Sequence, residues 1–357
     1  MNSKRRDVVE FLAAANPVPL GAVAGASRSP EAQRLYMVIT AEAPRVRGRR
    51  HTQLQLRRRL LSIAVAATAL AATIAAVVST VAPEGRLGAE PAAAQALLAA
   101  SRVAVNQPAH LPGPGEYYYS RTRSLVMTTS VVDGRAWSTL TPSTVELWFA
   151  RDGSGRVREV SEQPELVGPD DRADWAAAGS PSLQSNDPQS DRRFRPGELS
   201  TGRVAEADLP RLRTLPTDGQ ALANEIRNVV NDRGRPQDIP GLMFQEIAAL
   251  LANPAATPAL RAALFDAASR IEGVELLSRA KDRAGRSGTL LGLDSDFGGT
   301  RTRYTMNFNP KSAQLLEVET VLLEQVDFVD TSPPATIGYT TYLASALASS
   351  AEEAPTE

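Results

Sequence analysis

The chain has 357 residues, no cysteine, two histidines and a net charge of −1. The lack of cysteine excludes disulfide cross-links and thiol chemistry, and the scarcity of histidine leaves few candidates for general-base catalysis at neutral pH. Residues 1–59 hold twelve Lys or Arg against four Asp or Glu, whereas the rest of the chain holds 27 against 36. A basic N-terminal piece therefore precedes an acidic remainder.

The N-terminal piece, residues 1–59, is predicted to be a cytoplasmic segment with short helices. Candidate helices cover Arg5–Ala15 and a stretch that begins with Ser29-Pro30, a capping residue followed by proline in the first turn. Its few large apolar residues cannot build an independent core, so the segment is either a flexible tether or folds on a partner. Its arginines lack interleaved aromatic residues, so nucleic acid is not an expected partner.

Leu60–Ala82 is an uncharged apolar stretch of 23 residues. As a helix it would be about 34 Å long, enough to cross a hydrocarbon layer of about 30 Å. Its lipid-bilayer insertion would rest on nine Leu, Ile or Val residues. The stretch predicts a single transmembrane helix at residues 60–82, and its small residues at every fourth position would permit a homodimer through this helix.

Arginines predict the orientation of this span. Seven precede it closely, and two follow within twenty residues. The preceding ones are Arg45, Arg47, Arg49, Arg50, Arg57, Arg58 and Arg59. Because Arg and Lys resist translocation, this side is expected to stay in the cytoplasm, with Arg57, Arg58 and Arg59 as the main topogenic residues. The expected localisation is the cell membrane, single-pass, with the C-terminal part extracytoplasmic.

Three alternatives compete with a membrane anchor. A cleaved signal peptide would usually have a shorter charged leader than 59 residues and a shorter apolar core. Arg57-Arg58-Arg59-Leu60-Leu61 partly matches a twin-arginine export signal. A buried core helix of a soluble protein would usually be shorter. The lengths favour the anchor over each of them.

The remaining chain predicts an α+β extracytoplasmic domain. Residues 83–115 are expected to form a helix over Pro91–Val105 and then a Pro/Gly linker. Within 116–343, two strands over Tyr117–Val132 and Ser143–Ala150 lead to a return strand at 156–161, and a polar surface excursion over 163–208 follows.

The second half of this domain is predicted to hold three helices and then a second block of strands. Thr217, Gly241 and Thr257 mark the helix starts, and the strands occupy 274–279, 287–293, 300–308, 315–328 and 337–343. The order strands, helices, strands favours one curved antiparallel sheet packed on a few helices, half-barrel-like. Residues 344–357 are expected to be a disordered tail.

Catalytic, cofactor and metal sites are not predicted. The histidine of the C-terminal part, His110, lies in the Pro/Gly linker without an orienting carboxylate nearby in the sequence, so no hydrolase triad is expected. The chain is not expected to be an enzyme. One surface is a candidate for binding, because aromatic residues concentrate in the first strand block as an apolar ligand groove requires. These residues are Tyr117, Tyr119, Trp137 and Trp148; the alternative is aromatic packing on a sheet.

Several short motifs extend along the chain with the arginine-flanked span. They are Gly115–Tyr119, Glu146–Trp148, Asp152–Arg156, Leu215–Asp218, Leu260–Phe265 and Asp282–Gly288. In this combination the chain resembles an actinobacterial family of single-pass membrane proteins of unknown function, often encoded beside extracytoplasmic-function sigma factors. The resemblance implies an anti-sigma-like or sensory role. The order of elements is also similar to the half-barrel of periplasmic lipoprotein carriers and envelope-stress sensor domains.

Two functional hypotheses follow from the sequence. In the first, the extracytoplasmic domain senses or binds an apolar envelope ligand, and the cytoplasmic segment regulates a sigma factor. In the second, the domain is a membrane-tethered lipid or lipoprotein carrier. Neither needs a cofactor.

Overall fold

The computed structural model describes residues 88–109, 111–132, 135–184, 188–198, 209–232, 238–296, 300–326 and 329–355. The segment 1–59 and the apolar stretch 60–82 lie outside these ranges, as do Arg57, Arg58, Arg59 and His110. None of the helices within the described ranges is both long and apolar enough to cross a membrane. The structure therefore describes the acidic C-terminal part of the chain.

This part is an α+β domain built on one curved antiparallel sheet of ten strands. The strands are β1 (Tyr117–Val132), β2 (Arg135–Phe149), β3 (Gly155–Ser161), β4 (Glu165–Leu166), β5 (Gln189–Phe194), β6 (Val274–Lys281), β7 (Ser287–Ser295), β8 (Thr302–Phe308), β9 (Leu315–Leu322) and β10 (Ala335–Ala348). Their order is β5-β3-β2-β1-β10-β9-β8-β7-β6, and β4 pairs beside β2. The two predicted strand blocks thus join in one sheet, because β10 returns to β1.

Six helices accompany the sheet in the described ranges. They are α1 (Pro91–Val105), α2 (Pro169–Ala177), α3 (Leu209–Thr214), α4 (Gly219–Asp232), α5 (Ile239–Ala252) and α6 (Pro258–Ala268). The predicted bounds of α1 are confirmed. The Thr257 cap of α6 is also confirmed, since its side chain accepts a hydrogen bond from the Leu260 N–H. The predicted Thr217 cap of α4 is wrong, because Asp218 accepts the Ala221 N–H instead.

Five of the six helices share a continuous core with one face of the sheet, whereas α2 packs against β2 and β4. Phe265 of α6 meets Phe308 of β8 with ring centroids 5.2 Å apart. Alanines of α1 and α6 are fully buried, which allows these two helices to pack closely. This core includes Tyr118, Leu147 and Phe149 of the first strand block as well as Leu291 and Met306 of the second. One hydrophobic core therefore holds both halves of the sheet.

The other face of the sheet is also largely covered. Along β8, Tyr304, Met306 and Phe308 face the core, and the intervening Thr305 and Asn307 are buried as well. An alternating strand of this kind usually has one solvent-exposed face, but both faces of β8 are largely buried. The β6–β7 turn folds over this side of the sheet, where Arg286 donates to the main-chain oxygens of Leu316 and Tyr342. Hydrogen bonds of this kind offset part of the cost of burying polar groups there.

Two stretches in which no helix or strand was predicted contain regular structure within the described ranges. The polar stretch 163–208 contains α2 and β5, and Asp171 of α2 is buried where it accepts the Ser138 N–H at 2.9 Å. The predicted disordered tail 344–357 is also wrong over its described part. Strand β10 continues to Ala348, which pairs with Tyr117, and residues 349–355 pack across the sheet. The composition of these two stretches did not indicate regular structure, because the residues that hold them in place, such as Ser138 and Trp148, are distant in sequence.

Arg283, in the β6–β7 turn, bridges two carboxylates of β9 on the sheet face opposite the hydrophobic core. It contacts Glu317 and donates to Glu319 at 3.0 Å, and its guanidinium carbon lies 4.5 Å from the Tyr339 ring centroid. Thr341 donates a hydrogen bond to the Glu317 carboxylate, and Thr336 donates one to the Glu319 carboxylate. Burial raises the pKa of both carboxyl groups. Arg283 therefore offsets charge that the folded domain would otherwise bury unpaired.

Replacing this arginine, Arg283→Met, is expected to lower the free energy of unfolding by about 3 kcal/mol at pH 7.5, because two carboxylates lose their cation. A carboxyl pKa raised by folding means that the folded state binds protons more tightly than the unfolded state. Stability is then gained as the pH falls through the folded pKa toward the ordinary carboxyl range. The loss in Arg283→Met should therefore shrink at pH 5, as measured by urea unfolding.

The matched control is Arg301→Met, which removes an exposed arginine paired with Asp294 at 3.1 Å. Such surface pairs contribute about 0–1 kcal/mol, so the control should change stability little at either pH. Equal losses in the two variants would contradict the role given to Arg283.

Candidate functional site

A cavity of about 460 Å³ opens where α1 gives way to the Pro/Gly linker. Its walls come from that linker, the connection between α5 and α6, the β8–β9 turn and the end of β10. We call it the Arg261 pocket, and the residues that define it are Pro108, Leu111, Tyr118, Pro258, Arg261 and Ser312. The volume falls within the range of about 300–1,000 Å³ typical of small-molecule sites.

Arg261 is positioned by the first turn of α6. Its Nε donates to the main-chain oxygen of Ala256 at 3.2 Å, and its Nη2 donates to that of Asn253 at 3.1 Å. Asn253 is itself buried, and its side chain accepts the Ala255 N–H at 2.9 Å. The guanidinium is therefore held against a connection that is ordered by its own hydrogen bonds.

The charge of Arg261 is not offset by a carboxylate among the described residues. Burial lowers the pKa of its guanidinium to about 10, so the group still carries its proton at neutral pH. It also lies in the first turn of α6, where the helix dipole disfavours a cation. Burial and the dipole both act against this positive charge, and an anion bound in the pocket would relieve both.

Ser312 supplies a second unsatisfied polar group to the same pocket. Its Oγ is shielded from solvent and has no hydrogen-bond partner in the part of the chain that the structure describes. The β8–β9 turn that carries it is closed by the Ala313 N–H, which donates to the Asn309 oxygen at 2.8 Å. Ala313 has a φ of +53°, a conformation that the turn imposes on it. The Ser312 hydroxyl is therefore a donor that the described part of the protein leaves unused.

The described lining of the pocket offers groups that can bind a ligand. Its walls combine proline, leucine and alanine side chains with one cation, Arg261, and with several hydroxyl and amide groups, one of which is the Ser312 hydroxyl. No histidine or carboxylate lines it among the described residues, so Ser312 has no base beside it that would make it a nucleophile. A ligand with an apolar body and an acidic head matches this arrangement.

The structure separates the four aromatic residues that the sequence singled out as an apolar surface. Tyr119 and Trp148 meet with ring centroids 5.1 Å apart on the sheet face opposite the helices, and both are buried. Tyr117 packs at the edge of this pair. Trp137 is also buried but does not join them. The residue of this strand that lines the Arg261 pocket is Tyr118, which alternation along β1 places on the core side.

The C-terminal segment 349–355 covers the pair formed by Tyr119 and Trp148. The Trp148 indole N–H donates to the main-chain oxygen of Glu353 at 3.1 Å, and Arg156 donates to those of Ala351 and Glu352. Arg156 and Arg158 lie over the indole, 5.6 and 5.5 Å from its ring centroid. This aromatic surface is thus occupied by the protein itself.

Sequence reasoning missed Arg261 and Ser312. Arg261 carried one usable signal, since a cation in the first turn of a helix runs against the usual preference for acidic residues there. Ser312 carried none, because a serine in a turn that contains proline is ordinary.

Comparison with known proteins adds no assignment. The sequence matches no protein-family model, and it has no significant match among curated proteins.

Removing residues 350–357 is expected to expose Trp148, because the segment that covers the indole is lost. In a background with Trp137→Phe and Trp175→Phe, the emission of Trp148 should shift to longer wavelength and become accessible to iodide. The free energy of unfolding should fall by about 1–2 kcal/mol through the lost hydrogen bonds. The control is Glu353→Ala, which keeps the main-chain oxygen and should leave the emission unchanged. An unshifted spectrum in the truncated chain would contradict this packing.

Proposed function

We propose that this protein is a single-pass membrane protein whose extracytoplasmic α+β domain binds a ligand with an apolar body and an acidic head. The observation that carries the proposal is the Arg261 pocket, in which an uncompensated guanidinium and an unbonded hydroxyl share one largely apolar cavity. Binding an acidic head there would satisfy both groups at once. The domain would then act as a sensor or binding module.

The membrane anchor is the part of this proposal that rests on sequence. The apolar length of Leu60–Ala82 and the arginines before it support a span with the N-terminus inside. From the seventh residue after the span, the chain is tied to the domain, where the Ala89 and Glu90 N–H groups donate to the main-chain oxygens of Ser269 and Val274. The Arg261 pocket lies at the other end of α1, about 22 Å along the helix axis.

Regulation of a sigma factor by residues 1–59 is retained as a further part of the proposal. The support for it is the family resemblance and the basic charge of that segment. The bilayer and a cytoplasmic sigma factor would then be the two partners of the N-terminal part, with a homodimer through the span as a further option.

The alternative function is a membrane-tethered lipid or lipoprotein carrier with a half-barrel sheet. The single curved antiparallel sheet with helices on one face supports it. The core between helices and sheet is continuous, and the Arg261 pocket has room for a small ligand. A ligand with one short apolar chain therefore suits this domain better than a lipid with several chains.

Ligand binding can be measured with a single fluorescent label, because the chain has no cysteine. Leu111→Cys introduces one at an exposed residue of the pocket wall, for an environment-sensitive dye. The full-length protein in phosphatidylcholine nanodiscs would be titrated with octanoate, which combines a carboxylate with a short apolar chain. We expect saturable binding that Ser312→Ala weakens about tenfold to hundredfold, the value of one hydrogen bond to a charged group.

Two controls accompany this titration. Ser182→Ala removes an exposed hydroxyl from a surface loop and should leave the octanoate affinity unchanged. The same dye at Val160→Cys, an exposed residue of β3, should not respond to octanoate. A dye at Leu111→Cys that shows no saturable response, or equal affinities with and without Ser312→Ala, would overturn the pocket proposal.

The topology is tested in intact cells by a membrane-impermeant maleimide. Leu111→Cys should be labelled without breaking the cells, because it follows the span, whereas Ser3→Cys should be labelled only after lysis. The reverse pattern would place the arginine-rich side outside. Recovery of the chain from the soluble fraction would contradict the anchor.

A further inference from the structure

A second cavity, of about 710 Å³, lies between the end of the β6–β7 hairpin and the β8–β9 turn. We call it the basic cleft, and the polar residues that line it are Arg279, Lys281, Ser287, Asn309 and Lys311. Three of these five are cations, and no carboxylate lines the cleft among the described residues. The cleft therefore concentrates positive charge on a part of the chain that is acidic as a whole.

The identity of these cations sets them apart from the rest of the domain. The chain has only three lysines, Lys4, Lys281 and Lys311, and two of them meet here. Many described arginines are engaged in ion pairs, such as Arg156 with Asp191 and Arg283 with Glu317. Lys281 and Lys311 have no such pair with a described carboxylate. Lysine binds phosphate as a compact point charge, whereas arginine prefers planar, bidentate partners.

The basic cleft and the Arg261 pocket share a wall. The β8–β9 turn places Lys311 in the cleft and the next residue, Ser312, in the pocket. Consecutive Cα atoms are about 3.8 Å apart, so the two cavities are separated by the thickness of one turn. A ligand whose apolar part enters the pocket can therefore bring its head to the edge of the cleft.

We infer that the ligand of this domain carries a phosphate head on a single apolar chain. The phosphate would lie at the β8–β9 turn, with Ser312 and Arg261 on its pocket side and Lys311, Lys281 and Arg279 on its cleft side. The apolar chain would extend along the proline and leucine walls of the Arg261 pocket. A phosphate monoester carries about −1.5 to −2 charges and three acceptor oxygens near pH 7, so it can use several cations where a carboxylate cannot. The position of the apolar chain rests on the proposed function; the preference for phosphate rests on the cleft.

The inference is tested with the labelled full-length protein in phosphatidylcholine nanodiscs, which is titrated with octyl phosphate, octanoate and inorganic phosphate. Octyl phosphate should bind about tenfold more tightly than octanoate, as expected for additional charge-assisted hydrogen bonds. Its advantage should decrease as salt is added, because the cleft is open to solvent. Inorganic phosphate should compete with octyl phosphate but leave octanoate in place.

The decisive variant is Lys281→Gln with Lys311→Gln, which removes two exposed charges. It should bring the affinity for octyl phosphate down to that for octanoate, without changing the octanoate affinity. The matched control is Arg172→Gln with Arg227→Gln, which removes two exposed cations elsewhere and should keep the phosphate preference. If the lysine variant does not fold, the salt dependence of the preference in the unchanged chain decides instead.

The outcomes separate this inference from the function on which it rests. If neither amphiphile gives a saturable response, the pocket proposal and this inference both fail. If octanoate binds and Ser312→Ala weakens it, but octyl phosphate binds no more tightly, only the phosphate inference is overturned. A phosphate preference that survives Lys281→Gln with Lys311→Gln, or that is insensitive to salt, also overturns it.

Discussion

The packing of α6 is the constraint on which the rest of the domain depends. Leu264, Phe265, Ala267 and Ala268 are fully buried, and the helix contacts α1, α4 and α5 as well as the sheet. Small residues let α1 approach closely, and Phe265 reaches Phe308 of β8. The first turn of the same helix carries Arg261. The core thereby determines where the guanidinium lies. Because the helix is closely packed, it cannot easily move to return the buried charge to solvent.

The two faces of the sheet are buried by different interactions. The helix side is filled by apolar side chains in one continuous core. On the other side, Arg283 is paired with Glu317 and Glu319, and Trp148 is covered by the C-terminal segment. Charges on that face are therefore matched within the domain. Arg261, Lys281 and Lys311 differ from those charges, because none of them is paired with a described carboxylate. They lie on the two sides of the β8–β9 turn, and the binding proposal is based on this location.

Much of the architecture could be predicted from local signals. The bounds of α1 and β1, the Thr257 cap and the turn between β6 and β7 all follow from capping residues, apolar spacing and Gly-containing turns. The predictions failed where order comes from distant partners. Strand β2 begins at Arg135 rather than Ser143, because its polar first half is held by pairing with β1. Residues 349–355 are ordered because Trp148 and Arg156 bind their main-chain oxygens.

The sequence by itself determined the α+β class, the division into basic and acidic parts and the prediction of a membrane span, because each depends on composition or on periodicity over a short stretch. Only the tertiary structure decided the site. It buried Tyr119 and Trp148 under the C-terminal segment, and it brought Arg261 and Ser312, about fifty residues apart, to one cavity. Such a meeting depends on how helices and strands pack across the core. Local sequence patterns do not predict that packing.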